Sequence, residues 1–332
     1  MTSVPPVRVR GFGFALPGDP VPLRSRGLGD AERARLDDLG QEFGYLSPMD
    51  STALSIEAAA ALANAGTGAG DIGLVITAPA LLTAYGPEIP AVAVRAALGL
   101  EHAQCLYLGQ GCVGVLRGVQ LDAQHLRAGE TPGDVVVVTG CRASTITRRW
   151  NHGSFFWRDG AAAMVLTLEP GPGPRYVDYA EASATADWGA MRVRFGDGHP
   201  AGADTGPDDF RITINFDSAA DQVAYIRSEH LRFGNVLATL LDNNGITEDD
   251  VAALYLPSIG KARIPNLLGA GRPLMERVVC DVRHAHMGGV DNFLFMHEHM
   301  AKTPPADGAW PVSMTPAFTA QWAGVLFRYR ES

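Results

Sequence analysis

The stretch that decides the fold reads Cys105-Leu-Tyr-Leu-Gly-Gln-Gly-Cys112-Val-Gly-Val-Leu-Arg-Gly-Val-Gln-Leu-Asp-Ala-Gln-His-Leu-Arg127. Its first part is a short apolar run typical of a buried strand, and the part after Cys112 predicts a helix. Cys112 therefore lies at a strand-to-helix turn, where free backbone N–H groups and the helix dipole favour a thiolate. Gly111 and Gly114 allow this turn to be tight. We predict that Cys112 is a nucleophile rather than only a small buried side chain.

The composition limits the classes of protein to which the chain can belong. Its 332 residues are 46% hydrophobic and 19% charged, enough for a sizeable core in one large or two fused domains. The net charge of −9 argues against a general nucleic-acid binder, which needs a basic face. No uncharged apolar stretch reaches about 18 residues and the first residues lack a signal-peptide core, so we expect no membrane span and a cytoplasmic protein. A disulfide framework is not expected, because no C-x-x-C spacing joins Cys105, Cys112, Cys141 and Cys280.

Apolar patterns and turn signals predict two halves, residues 1–184 and residues 185–332. In the first half we predict strands at residues 7–16, 72–77, 105–112, 134–140, 159–168 and 175–184, and helices at residues 52–65, 88–98 and 113–127. A segment rich in glycine, aspartate and proline, residues 187–209, predicts a loop or a cap. In the second half we predict strands at residues 251–257, 278–282, 309–315 and 323–329, helices at residues 221–243, 262–269 and 291–302, and a turn with a capping signal at residues 244–250.

Both halves run strand–helix–strand–helix–strand–strand. Alternating elements of this kind imply mostly parallel sheets covered by helices. Two such halves packed together predict an α/β protein with a five-layered αβαβα architecture made of two similar halves.

Three motifs carry a resemblance to a known family. They are Gly-Gln-Gly-Cys112-Val-Gly at the nucleophile turn, Arg158-Asp159-Gly160-Ala-Ala-Ala, and Gln321-Trp322-Ala-Gly-Val-Leu-Phe-Arg-Tyr near the end. With this order of elements the chain resembles the thiolase-fold condensing enzymes over nearly its full length, and most closely the ketoacyl synthase III group. The resemblance implies a thiolase-like fold, an acyl-enzyme on Cys112, a thioester donor on coenzyme A or acyl carrier protein, and a homodimer.

The sequence departs from that group at two catalytic positions. The group has Pro-His at the end of a second-half strand and Gly-Asn in the next catalytic loop, and both side chains donate hydrogen bonds to the oxygen of an enolate. Here the first site reads Leu256-Pro257-Ser258, and His286 stands where the asparagine is expected. Ser258 is a weaker, neutral substitute, and His286 is a base as readily as a donor. Carbon–carbon condensation is therefore disfavoured.

Cys112, His286 and Asp291 together predict a nucleophile, a base and a residue that orients the base, as in a Ser-His-Asp triad. His286 would take a proton from the thiol and later from an acceptor, while Asp291 would fix its tautomer. The pattern is similar to a small subgroup of synthase III-like acyltransferases from natural-product pathways, which form esters or select starter acyl groups. Two alternatives stay open: Asp291 only caps the helix that follows it, or His199 is the base.

Further residues are candidates for substrate binding. Ser258 either donates a hydrogen bond in the pocket or only ends a strand. Beside a first oxyanion donor at the nucleophile's own N–H, we expect a second from the backbone of Ala317 or Phe318, in a loop without glycine. Trp150 and Phe155 belong to an aromatic cluster that lines the acyl or acceptor pocket, or else packs in the core or at a dimer interface.

Two further sets of side chains, a pair of arginines and a group of histidines, are considered as binding sites for a phosphate and for a metal. Arg148 and Arg149 are candidates for contacting a phosphate of coenzyme A or of a carrier-protein phosphopantetheine, or they are solvated surface arginines. Four histidines near Asp291 invite a metal site, but the spacing of two of them differs from the i, i+4 pair of a metalloprotease helix. No metal is therefore expected at His284, His286, His297 and His299.

The sequence thus predicts an acyltransferase. It would load an acyl group from an acyl-CoA or acyl-phosphopantetheine thioester onto Cys112 and pass it to a hydroxyl, or to an amine, of a small-molecule acceptor in natural-product biosynthesis. We expect a homodimer without a permanently bound cofactor, and neither nucleic acid nor a membrane as a partner. A starter-unit ketosynthase of the synthase III type and a non-catalytic partner subunit are the alternatives.

Overall fold

The computed structural model describes residues 6–25, 28–62, 71–81, 89–130, 132–143, 156–187, 191–193, 212–214, 219–317 and 320–331. The α-helices of these ranges are α1 (Asp30–Leu39), α2 (Ser51–Leu62), α3 (Pro90–Ala97), α4 (Gly114–Ala128), α5 (Ala219–Asn244), α6 (Arg263–Leu268) and α7 (Val290–Lys302). The strands are β1 (Arg8–Ala15), β2 (Val21–Pro22), β3 (Phe43–Gly44), β4 (Ile72–Thr77), β5 (Gln104–Tyr107), β6 (Asp134–Cys141), β7 (Gly160–Thr167), β8 (Gly173–Ser183), β9 (Met191–Val193), β10 (Ile212–Ile214), β11 (Val251–Tyr255), β12 (Val278–Val279), β13 (Trp310–Ala317) and β14 (Gln321–Arg330).

Ten of these strands form one hydrogen-bonded sheet in the order β12-β11-β13-β14-β8-β1-β7-β6-β4-β5. The order repeats itself about the middle. Counted along the chain, the five strands β1, β4, β5, β6 and β7 are arranged 3-2-4-5-1, and so are the five strands β8, β11, β12, β13 and β14. At the seam, β1 and β8 pair only at Arg8 and Arg175. The sheet is therefore two similar five-stranded units joined at a single residue pair.

Helices cover this sheet in layers. On the first unit, α2 packs against β1, β6 and β7, and α3 lies beside it. On the second unit, α5 packs against β8 and β14, and α6 lies beside α5. Between the units, α4 contacts β6 and β14, while α7 contacts β7 and β13. The result is the predicted five-layered αβαβα arrangement, with α4 and α7 in the central layer.

Local sequence explains the elements of this central region. β4, β6 and β7 are continuous runs of mainly apolar residues, buried at every position because layers cover both faces of the sheet. α4 ends at Gly129, whose φ of +68° favours glycine and whose N–H donates to carbonyls of the last turn. Gly118 lets α4 approach the sheet closely, since a Cβ there would lie 2.8 Å from Val137.

Two expectations about the sheet are wrong. The sheets are not mostly parallel: β4 pairs in parallel with β5 and β6, and β11 with β12 and β13, but the other five pairings of the ten strands are antiparallel. The strand predicted at residues 175–184 as the close of the first half is β8, which pairs along its length with β14 of the second unit. The division at residue 184 itself stays a prediction.

Most other elements were predicted within a few residues, and the capping signal at residues 244–250 corresponds to a capping box between Thr247 and Asp250. α1 was missed because few of its residues are apolar, and Leu36 and Leu39 alone are buried. The segment predicted as a loop or cap is described only in part, and there Met191–Val193 pairs as β9 with β10. Among the described helices, none has the length and apolar character needed to span a membrane.

Candidate active site

Cys112 lies at the predicted strand-to-helix turn. A single 3-10 turn, Gly111–Val113, leads directly into α4. Gly111 has a φ of +57°, which favours glycine, and its position also brings the turn close to the end of β13. A Cβ at Gly111 would lie 3.9 Å from that of Ala317. The nucleophile candidate is therefore placed where the central layer meets the end of the second unit.

The structure brings His286 and Asp291 to this point. Nε2 of His286 lies 3.5 Å from Sγ of Cys112, and Nδ1 lies 2.7 Å from Oδ2 of Asp291. Asp291 belongs to the first turn of α7, so α4 and α7 begin on either side of the thiol. The intervening Gly288 has a φ of +65°, and a Cβ there would lie 3.8 Å from Sγ and 2.2 Å from the Cβ of Ala80.

The thiol is less acidic than its place at a helix N-terminus suggested. Cys112 is only 2% exposed. Burial, reinforced by the negative charge of Asp291, raises the pKa of the Cys112 thiol to about 12. The expectation of a thiolate favoured by the helix dipole is therefore wrong for the resting protein. The thiol is neutral there and needs a base when it reacts.

Asp291 is fully buried and surrounded by hydrogen-bond donors. Besides His286, its Oδ2 accepts from the backbone N–H groups of Ser258 at 3.0 Å and Met287 at 3.2 Å. Its Oδ1 faces Nη2 of Arg158 at 3.3 Å. Burial opposes its charge, but the hydrogen bond and charge of His286, the charge of Arg158 and the Ser258 N–H hold the pKa of Asp291 below its ordinary value.

This donor set determines the tautomer of His286. An ionised carboxylate only accepts hydrogen bonds, so the proton between Asp291 and His286 lies on Nδ1. Nε2 then carries a lone pair, which faces the thiol of Cys112. The arrangement can accept a proton from Cys112, with Asp291 stabilising the imidazolium that forms.

Sequence reasoning missed the residues that hold His286 in place. The His286 N–H donates to the carbonyl of Phe156 at 2.7 Å, and the Arg158 N–H donates to the carbonyl of His286 at 2.8 Å. The Trp157 ring lies 4.8 Å from the imidazole between centroids. Gln41 accepts from the N–H of Phe156 at 2.8 Å, which anchors this segment in turn. Arg158 stood in a motif of the resemblance, but only its distance to Asp291 reveals its contact with the site.

Two predicted binding residues have different surroundings from those expected. The Ser258 hydroxyl donates to the carbonyls of Asp281 and His284, so it is used inside the protein and is not a free donor for a thioester oxygen. The predicted oxyanion loop is wrong in part, since residues up to Ala317 belong to β13. Ala317 is buried beside Gly111 and remains a neighbour of the nucleophile turn.

Other predicted residues lie outside the described ranges: Arg148, Arg149, Trp150, Phe155, His199 and Phe318. Of the histidines that invited a metal site, His297 packs against the rings of Phe12 and Phe14, and His299 contacts the hydroxyl of Tyr255 at 3.0 Å. Within the described ranges, no group of three or more potential ligands has the geometry of a metal site.

Comparison with solved structures gives the fold a name. ChlB3, described as an acyltransferase, is 22% identical, with 98% of both chains covered and a TM-score of 0.82. FabH, a 3-oxoacyl-(acyl carrier protein) synthase III from Pseudomonas aeruginosa PAO1, is 18% identical, with 98% of both chains covered and a TM-score of 0.78. The H285A variant of OleA from Xanthomonas campestris is 15% identical, covering 98% of this chain and 99% of the other, with a TM-score of 0.79. The chain has the ketoacyl synthase III fold. No family model and no curated protein matches it.

Within the ketoacyl synthase III fold, the two departures seen in the sequence are neighbours in space. Ser258 provides a backbone N–H to Asp291, and Asp291 holds the imidazole of His286. The two substitutions therefore belong to one buried hydrogen-bonded group behind the thiol.

Proposed function

We propose that the protein is an acyltransferase, which takes an acyl group from a coenzyme A or carrier-protein thioester onto Cys112 and transfers it to a hydroxyl, or to an amine. One observation carries this proposal: the lone pair of His286 Nε2 faces Sγ at 3.5 Å while Asp291 holds Nδ1 at 2.7 Å. Such an imidazole is a general base toward the thiol and, after acylation, toward an acceptor.

The first half-reaction loads the enzyme. Sγ of Cys112 attacks the thioester carbonyl as its proton passes to Nε2 of His286. The carbon–sulfur bond to the donor breaks, and the departing thiolate takes the proton from the imidazolium. Asp291 stays ionised throughout and stabilises the positive ring. The products are an acyl-Cys112 thioester, the free donor thiol and a neutral His286.

The second half-reaction unloads the enzyme. The acceptor hydroxyl gives its proton to Nε2 of His286 as its oxygen attacks the acyl carbon. The bond from carbon to Sγ breaks, and the sulfur of Cys112 regains the proton from the imidazolium. The products are an ester and the resting thiol. An amine acceptor forms an amide by the same sequence of bonds.

A starter-unit ketosynthase is the second candidate function, favoured by the descriptions of FabH and its relatives as 3-oxoacyl synthases. Decarboxylative condensation, however, needs neutral side chains that donate hydrogen bonds to an enolate oxygen. His286 presents an acceptor to the site, and the Ser258 hydroxyl is directed at backbone carbonyls. Both features favour acyl transfer over condensation.

The wider setting is part of the proposal and rests on the resemblance. It comprises a role in natural-product biosynthesis, such as polyketide or antibiotic assembly, a cytoplasmic homodimer, and a small-molecule acceptor. The description of ChlB3 as an acyltransferase supports the same class of reaction. A non-catalytic partner subunit is the remaining alternative, but it gives no reason for a buried base to face a thiol.

Mass spectrometry of the intact protein and of its peptides tests the proposal. After incubation with a panel of acyl-CoA and acyl-carrier-protein donors, we expect one acyl adduct on the Cys112 peptide of the wild type and none in Cys112→Ala. Cys105→Ala is the matched control and should load normally. Adding a hydroxyl acceptor should discharge the adduct as an ester. Release of carbon dioxide from malonyl-carrier protein would favour the ketosynthase instead. Inertness toward every donor would overturn both activities.

A further inference from the structure

Arg158 is a side chain of the site to which acyl transfer by Cys112, His286 and Asp291 assigns no role. Its side chain is fully buried, and Nη2 lies 3.3 Å from Oδ1 of Asp291, which is also fully buried. Its guanidinium carbon lies 5.1 Å from the centroid of the Tyr45 ring. Burying a guanidinium is unfavourable unless it is well paired. Within the described residues, Nε and Nη1 make no hydrogen bond, so the pairing is incomplete.

A purely structural explanation of this arginine is weak. Buried ion pairs are often no better for stability than apolar groups of the same size. Arg158 lies between the ring of Tyr45, which attracts cations, and the carboxylate of Asp291. Its positive charge therefore lies behind the proposed base, His286.

The backbone of Arg158 acts on the same base. Its N–H donates to the carbonyl of His286 at 2.8 Å, and this bond belongs to the parallel bridge between Trp157 and His286. One residue therefore contacts the main chain of His286 and the carboxylate of Asp291. Any shift of this segment would move the base and the residue that orients it together.

We infer that Arg158 is a positioning residue of acyl transfer, which keeps Asp291 ionised and aligned so that His286 presents its lone pair to Cys112. The inference rests on the proposed function and extends its chain of contacts to Cys112, His286, Asp291 and Arg158. Arg158 does not touch the reacting atoms, and its effect on the thiol passes through Asp291 and His286.

Other titratable groups lie around Cys112 and Asp291, and burial or ion pairing fixes their charge near neutrality. Burial raises the pKa of the Cys141 and Cys280 thiols, so both stay neutral near neutrality. Burial and the charge of Arg158 lower the pKa of His284. Burial by itself raises the pKa of Asp281, but hydrogen bonds from Arg283 outweigh it and lower the pKa below its ordinary value. Arg263 adds a fixed positive charge that acts on Cys112.

The test compares Arg158→Met with the wild type in single-turnover loading of Cys112 from an acyl-CoA donor. We expect loading to slow by about 10- to 100-fold at neutral pH, the loss typical of a misaligned catalytic group. The acidic limb of the rate profile should move to higher pH, because a buried Asp291 without its cation takes up a proton more readily. Arg158→Lys should recover part of both effects by restoring the charge.

Two comparisons separate positioning from folding. Arg272→Met removes the partner of Glu248 in a partly exposed ion pair of the second unit, away from the thiol, and should leave the rate profile unchanged. Arg158→Met combined with Asp291→Asn removes both buried charges, and it should load no more slowly than Asp291→Asn alone. An unmoved acidic limb in both Arg158 variants, or fully additive losses in the double variant, would overturn the inference.

A spectroscopic readout does not depend on acyl transfer. The infrared difference between each protein and its Asp291→Asn variant isolates the carboxyl band of Asp291. In the wild type the carboxylic-acid stretch should be absent near neutrality, and in Arg158→Lys or Arg158→Met it should appear at a higher pH than in the wild type. A wild type that never acquires an acyl group would refute the proposed function alone, whereas identical carboxyl titrations would refute the role of Arg158 alone.

Discussion

Nδ1 of His286 and Oδ2 of Asp291 lie 2.7 Å apart, and both side chains are closed off from solvent. The two residues are five positions apart, on opposite sides of the Gly288-Gly289 turn that begins α7. An aspartate in a first helical turn normally caps backbone N–H groups. Asp291 instead accepts from the imidazole and from the N–H groups of Met287 and Ser258, which lie outside α7, and the N-cap of α7 is Gly289. The alternative that Asp291 only caps the helix is therefore wrong.

Asp291→Asn should therefore weaken acyl transfer while preserving the fold. An amide at this position can donate to Nδ1 and so favour the wrong tautomer, with a loss on the order of 10⁴-fold expected from the equivalent change in a serine protease triad. The measurement is the rate of adduct discharge to a hydroxyl acceptor, with circular dichroism as the folding control. Discharge within a few fold of the wild type would mean that Asp291 does not orient His286 for acyl transfer.

Cys112 should be a neutral thiol in the resting protein. Because burial raises its pKa to about 12, the ultraviolet difference spectrum between the wild type and Cys112→Ala should contain no thiolate absorbance at neutral pH. Absorbance from this residue should emerge only in strongly alkaline solution. A thiolate band at neutral pH would instead reveal a preformed ion pair with His286.

Gly288→Ala should disrupt the site more than its backbone angle alone predicts. Gly288 and Gly129 have similar φ values of +65° and +68°, but a Cβ at Gly288 would lie 2.2 Å from that of Ala80, while nothing lies within 4 Å at Gly129. Gly129→Ala should cost about 1–2 kcal/mol, for the left-handed conformation. Gly288→Ala should cost about 1–3 kcal/mol more, for the overlap, and should slow loading of Cys112. Chemical denaturation measures both variants, and equal losses would contradict the packing argument.

The Asp122→Asn variant should gain stability relative to the wild type as the pH rises. Asp122 is fully buried in α4, its carboxyl oxygens make no hydrogen bond to the described residues, and burial raises its pKa well above the ordinary value. The folded state therefore binds a proton that the unfolded state releases above its pKa of about 3.9. The stabilisation that this proton gives is complete below that pH and is lost as the pH rises toward the folded-state value.

Thermal unfolding at several pH values checks this prediction. The Asp122→Asn variant should have a melting temperature similar to that of the wild type in acid. Toward alkaline pH, its melting temperature should rise relative to that of the wild type. Asp19→Asn, at an exposed position, is the control and should show no such trend. A constant difference between wild type and Asp122→Asn at all pH values would show that Asp122 does not change its protonation on unfolding.

Elements with a strong local pattern could be predicted from the sequence. The apolar run of β4 was placed to the residue, and the turn at Cys112 followed from an apolar run, two glycines and an amphipathic helix. The partner of β8 could not be predicted, because its hydrogen bonds reach β14, which lies far along the chain. Strand pairing of this kind depends on tertiary packing, which local periodicity does not encode.

The candidate site was predictable to the same extent. The types and order of Cys112, His286 and Asp291 were enough to predict their meeting. Arg158 was not, since its contact with Asp291 spans 133 positions. The acidity of Cys112 was misjudged because the sequence reveals a helix dipole but not the depth of burial, and burial is the larger effect here.

The repeated 3-2-4-5-1 order has a consequence for how the chemistry is divided. In each unit a central helix follows the third strand, so α4 and α7 are counterparts. The turn before α4 contains the sulfur of Cys112, and the turn before α7 contains the imidazole of His286. Neither unit by itself contains both the thiol and the imidazole. Under the proposed acyl transfer, the first unit therefore contributes Cys112 and Arg158, and the second contributes His286 and Asp291.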